Sequence, residues 1–118
     1  MHIYRQLRVW SEAHELTKSI YHETTSFPKS ELYGLTNQIR RAAVSIPSNL
    51  AEGASRKSNS DFARFVEIAH GSANEMEYQL FLSFELGYLS ESTHNTLQIN
   101  ITKLLKGLHQ LRSSLLSR

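Results

Sequence analysis

The chain has 118 residues, 40 % of them hydrophobic, with five glycines, two prolines and no cysteine. That length fits one domain, and so few glycines and prolines argue against a many-turned sheet or a disordered Pro/Gly-rich chain. The missing cysteine excludes disulfide frameworks, thiolate nucleophiles and Cys-ligated zinc or iron–sulfur centres, while 13 Lys and Arg against 11 Asp and Glu leave a net charge of only +2.

The charge is unevenly spread. Residues 1–28 are neutral, and residues 29–64 carry six bases against three acids. Residues 65–91 hold five acids and no Lys or Arg, and residues 92–118 hold four bases and no acid. Such asymmetry fits a basic face for nucleic acid, or helices that complement one another and a partner subunit. The opening MHIYRQLRVW lacks the apolar core of a secretory signal. No window approaches the roughly 18 uncharged apolar residues of a spanning helix. The expected location is the cytoplasm, with no membrane partner.

In chain order, Trp10, Ala13, Leu16 and Ile20 recur at helical spacing between Leu7 and Thr24. Phe27-Pro28 ends that helix, because a residue before proline is pushed toward extended geometry. A second series, Leu35, Ile39, Ala42, Ala43, Ile46 and Leu50, contains Pro47. Proline denies the residue-43 carbonyl its helical donor. Because Leu50 stays in phase, the spacing predicts a kinked helix running on to Glu52 or Ala54, with Gly53 as terminator. Ser45, Ser48 and Asn49 surround the proline and supply small polar groups for the orphaned carbonyl.

After a basic loop at 54–59, Ser58 or Ser60 is a candidate cap. Phe62, Val66, Ala69, Ala73, Met76, Leu80, Phe84 and Gly87 then follow a nearly strict alternation of steps of four and three, the seam of a long antiparallel or coiled-coil-like helix. A turn at Gly87–Ser90, capped by Ser90 or Ser92, leads to Leu97, Ile101, Leu104, Leu108, Leu111 and Leu115, which predict a last helix from about Glu91 to Leu116. Four amphipathic helices with short connections predict an all-α, antiparallel up-down four-helix bundle over residues 1–118, closed within one chain or exchanged as hairpins between subunits.

The third helix is apolar on more faces than one bundle uses. Tyr78, Phe81, Leu82 and Leu86 fall outside the seam of Met76, Leu80 and Phe84. A helix apolar all round is buried all round. These four residues are therefore the candidate oligomer interface.

The segments Val9-Trp10-x-x-Ala13, Thr24-x-x-Phe27-Pro28 and Glu31-x-Tyr33-Gly34-Leu35 precede the long run Arg40-Arg41-Ala42-Ala43-Val44-Ser45-Ile46-Pro47-Ser48-Asn49-Leu50-Ala51-Glu52-Gly53. Phe62-x-x-Phe65, Ile68-Ala69-x-Gly71-Ser72 and Leu86-Gly87-Tyr88 follow it. Together they resemble the S23-type four-helix-bundle proteins encoded in intervening sequences of bacterial 23S rRNA genes. Leu50 stands where members usually carry Ile, and Met76 where they carry Leu, both conservative exchanges. The resemblance implies barrel-like homopentamers without an assigned biochemical role. The accessory protein of diversity-generating retroelements is similar in fold and binds nucleic acid with its reverse transcriptase, so RNA or DNA enters as a candidate partner by analogy.

For that partner, Arg40, Arg41, Arg56, Lys57 and Arg64 are the candidate phosphate contacts. Pairing of Arg40 and Arg41 with glutamates of the third helix or of a neighbouring subunit is the competing use. Lys103, Lys106, Arg112 and Arg118 form a second basic set. No aromatic–basic alternation for base stacking is present. Glu67-x-x-His70 and Glu91-x-x-His94 imitate the di-iron bundle motif. Folding the last two helices about residue 89 sets His94 and His70 roughly 21 Å apart along the axis, too far for one metal pair. The same folding brings His109 level with His70. There is no Walker A loop, no Gly-x-Gly-x-x-Gly and no nucleophile elbow. The sequence reads as a non-enzymatic homo-oligomeric scaffold or adaptor without cofactor or metal; the alternative is an oligomer that binds RNA or DNA backbone.

Overall fold

The computed structural model describes residues 3–117. Its α-helices are α1 (Arg8–Thr24), α2 (Leu35–Ala54), α3 (Asn59–Glu85) and α4 (Glu91–Leu116). Short 3-10 turns at Tyr4–Gln6 and Lys29–Glu31 precede α1 and α2, and no strand occurs among the described residues. Each helix packs against its neighbour in sequence, and α4 closes against α1. The result is an all-α four-helix bundle, 45 Å long and 24 by 20 Å across.

The apolar series become the core. Ala13, Leu16, Ile20, Ile39, Ile46, Leu50, Phe62, Val66, Ala73, Met76, Leu80, Leu97, Ile101, Leu104 and Leu108 are all buried in one cluster. Trp10 sits at its edge, stacked on His14 with centroids 4.9 Å apart. The α3 seam departs from expectation at its end. Ser83 takes the buried position, donating its hydroxyl to the Gln79 carbonyl at 2.7 Å. Phe84 is only half-buried and stacks on the His94 ring at 4.7 Å.

The caps fall at Ser58 and Ser90, whose hydroxyls accept from the backbone N–H of Asp61 and Thr93, each at 3.1 Å. Gly87 belongs to the turn and not to the seam. Its φ of +82° is the left-handed geometry that glycine tolerates, and it lets Tyr88 N–H return to the Ser83 carbonyl at 2.8 Å.

Pro47 lies inside α2, which continues to Ala54. The Ala43 carbonyl accepts instead from the Thr17 hydroxyl of α1, at 3.1 Å. Asn49 Nδ2 donates to the Ser45 carbonyl at 2.8 Å, and the Ser45 and Ser72 hydroxyls meet at 2.8 Å, which sets the register of α2 against α3. Gly53 does not terminate α2. It is buried within the helix, where a Cβ would stand 2.7 Å from Phe65 Cβ and 2.9 Å from Phe62 Cδ1, so its role is close approach of α3.

Candidate assembly surface and basic residues

Turning about 100° per residue, α3 buries Met76, Gln79, Leu80 and Ser83 and aims the residues between them outward. Tyr78 is 62 % exposed, Phe81 47 % and Leu86 50 %, while Leu82 is half-buried beside Leu35 in the α2–α3 groove. All four sequence-predicted interface residues thus lie outside the buried core. Ile68 of α3, 51 % exposed, and Val44 of α2 are further exposed apolar residues. Sequence reasoning missed both. A second series of steps of four and three on α3, through Arg64, Ile68, Gly71, Glu75, Tyr78 and Leu82, carries the signal for Ile68.

The basic residues are dispersed. Arg40 is bound to the end of α1: its Nε donates to Thr24 Oγ1 at 2.8 Å, and its Nη2 donates to the Tyr21 carbonyl at 3.3 Å. The guanidinium also lies 4.8 Å from the Tyr21 ring centroid. A cation here meets the negative end of α1. Arg56 pairs with Glu52 one turn earlier and covers the Phe65 ring at 4.7 Å. Arg64 approaches Asp61 at 3.8 Å. The side chains of Arg41 and Lys57 make no hydrogen bond, ion pair or ring contact among the described residues.

Arg40 and Arg41 stand near the start of α2 and Arg56 and Lys57 just beyond its end, a separation of roughly 22 Å along the axis. The five residues therefore do not converge on one patch. In the second set, Lys103 pairs with Glu12 at 3.1 Å and Arg112 with Glu67 at 3.5 Å. Lys106 lines a groove between α1 and α4, and Arg118 lies outside the described residues.

His70 and His109 line one small cavity with Glu67 and Arg112, as the counting of levels predicts. The His70 ring is engaged by Asn74 at 3.1 Å, and Glu67 by Arg112. Among the described residues no group of three or more His, Asp or Glu is placed to hold a metal ion. None of their helices is long and apolar enough to cross a membrane.

Fold and surface together define a small all-α four-helix bundle that exposes Ile68, Tyr78 and Phe81 on its third helix. The chain belongs to the 23S rRNA-intervening sequence protein family, whose profile matches residues 5–110. In fold it is similar to a protein of unknown function from the S23 ribosomal protein family of Bacteroides thetaiotaomicron. The TM-score is 0.81 at 24 % identity, over 89 % of this chain and 95 % of that one. No curated protein matches the chain.

Proposed function

We propose that this chain is a homo-oligomeric scaffold or adaptor that assembles through the outer side of α3. The observation that carries the reading is the exposed pair Tyr78 and Phe81 on α3, turned away from the core residues Met76 and Leu80, with exposed Leu86 just past the end of the helix. Grouped large apolar side chains on a small bundle mark a contact surface. Arg41 and Glu75, both without an intrachain ion pair, flank the same groove and offer one charge of each sign to a neighbour. Five copies is the count that the family resemblance implies. An RNA- or DNA-binding oligomer has weaker support, because Arg40 and Arg56 are engaged within the chain and the basic residues are split along α2.

Light scattering coupled to size-exclusion chromatography at about 50 μM tests the reading. The wild type is expected to elute as an oligomer. Phe81→Glu with Leu86→Lys is expected to fall toward the monomer mass with helicity intact, because unpaired charges in a dry contact cost several kcal/mol and neither side chain belongs to the core cluster. A monomeric wild type, or a double variant that keeps the wild-type mass, overturns the proposal.

A further inference from the structure

Tyr78 stands on a ridge between two shallow clefts. On one side it borders the α2–α3 groove with Arg41, Glu75 and Leu82. On the other it borders a cleft of about 370 Å³ with Glu77, Phe81 and, from α4, Gln98. The two clefts lie on adjacent sides of the bundle and share α3.

The second cleft has a definite chemistry. Gln98 Nε2 donates to Glu77 Oε2 at 2.7 Å, which holds the carboxylate at the cleft wall, and Glu77 Oε1 keeps no partner among the described residues. Tyr78 and Phe81, three residues apart, present aromatic rings beside it. The His94 ring lies 6.4 Å from Phe81 on its inner side and is itself stacked on Phe84. A fixed carboxylate beside exposed aromatic rings suits a cationic side chain, and a guanidinium above others, because its plane stacks while its N–H groups pair with the carboxylate.

This chain carries an unoccupied guanidinium at the matching height. Arg41 is exposed and unpaired, unlike its neighbour Arg40. The Ser45–Ser72 contact fixes the register of the two antiparallel helices. Four residues back along α2 and four forward along α3 set Arg41 level with Met76, one residue and about 1.5 Å of rise from Glu77. Copies related by rotation about an axis parallel to the bundle keep every residue at its own height. When the α2–α3 side of one copy meets the α3–α4 side of the next, Arg41 therefore arrives at the height of Glu77. Contact between adjacent sides turns each successive copy, the condition for closing a ring; contact between opposite sides extends a straight stack.

We propose that the Glu77–Tyr78–Phe81 cleft receives the Arg41 guanidinium of a second copy of this chain. The inference rests on the assembly reading above and names the contact that would give it direction. Its test is a charge exchange on the full chain, followed by light scattering through a dilution series with circular dichroism as the folding control. Arg41→Glu and Glu77→Arg are each expected to raise the dissociation concentration about tenfold or more, and the double exchange to recover most of that loss. Arg41→Lys is expected to recover only part, having lost the planar stack. Glu77→Gln, which keeps an acceptor for Gln98, replaces Glu77→Arg if the latter misfolds, and is expected to weaken assembly likewise. Single variants that assemble like the wild type, or weakened single variants that the exchange does not rescue, overturn this contact while leaving the assembly reading in place. A monomeric wild type overturns both.

Discussion

The Thr17 hydroxyl on α1 donates to the Ala43 carbonyl on α2, the acceptor that Pro47 deprives of its helical donor. The same hydroxyl also reaches the Ala13 carbonyl of its own helix at 2.8 Å, so one proton serves two helices. The proline inside the core thus has its missing bond made good by the neighbouring helix.

A double-mutant cycle reads this relationship directly. Thr17→Val is expected to destabilise the wild type by about 1–2 kcal/mol, because a part-buried carbonyl loses its donor. In a Pro47→Ala background the restored backbone N–H satisfies that carbonyl, so the same Thr17→Val change costs less. Urea unfolding of the four variants gives the coupling. Equal costs in both backgrounds would show that Thr17 does not stand in for the missing bond.

Gly53 and Gly71 should respond in opposite senses to alanine. Gly53→Ala forces a methyl against Phe62 and Phe65 of α3, and an overpacked contact of this kind costs about 1–3 kcal/mol. Around Gly71 nothing lies within 4 Å of where a Cβ would stand. Gly71→Ala should therefore gain about 0.5–1 kcal/mol from helix propensity alone. Thermal unfolding of the two variants checks the pair; a stabilised Gly53→Ala would rule out the close-approach role.

Tyr88 gives a pH dependence. Its hydroxyl donates to Glu31 Oε2 at 3.0 Å, while the other Glu31 oxygen accepts from Leu35 N–H at the start of α2. The hydrogen bond to the Glu31 carboxylate, with burial and the carboxylate charge adding to it, raises the tyrosine pKa above its ordinary value of 10.0. A raised folded-state pKa means that this contribution to stability is complete below pH 10 and is lost as pH climbs through the raised value. Above pH 10 the wild type should lose stability faster than Tyr88→Phe. Parallel slopes for the two proteins between pH 9 and 11 would exclude this linkage.

Much of the bundle was legible because its core is periodic. Leu97, Ile101, Leu104 and Leu108 occupy the inward positions their spacing demands, and Ser58 and Ser90 cap where a serine precedes a helical series. Gly53 and Gly87 look alike as helix punctuation, yet one is a close-approach site and the other a left-handed turn, a difference fixed by tertiary contact and not by local sequence. Ser83 holds the place that a strict alternation gives after Leu80; the step of four to the larger Phe84 was the misreading, and Phe84 stacks on His94 instead. Nothing in the Arg40-Arg41 pair distinguishes its members, although 100° of helix rotation gives one to α1 and leaves the other free.

That division makes the last prediction. Arg40→Gln removes a charge-assisted hydrogen bond to Thr24, a second bond to the Tyr21 carbonyl and the stack on the Tyr21 ring, all at the negative end of α1. Allowing for its half-exposed position, the expected loss is about 1–2 kcal/mol. Lys57→Gln breaks no intrachain bond and should leave the unfolding free energy within about 0.5 kcal/mol of wild type, as should Arg41→Gln at concentrations too low for assembly. The same variants separate folding from phosphate contact. If duplex DNA binds, only unpaired cations are free to release its counterions, and each contact contributes about 0.9 to the slope of log K against log salt. Replacing Arg41 and Lys57 together should lower that slope by about 2 units, whereas Arg40→Gln should leave it unchanged and act only on stability. A slope that falls on Arg40→Gln while the unfolding midpoint stays put would show that Arg40 serves phosphate and not α1.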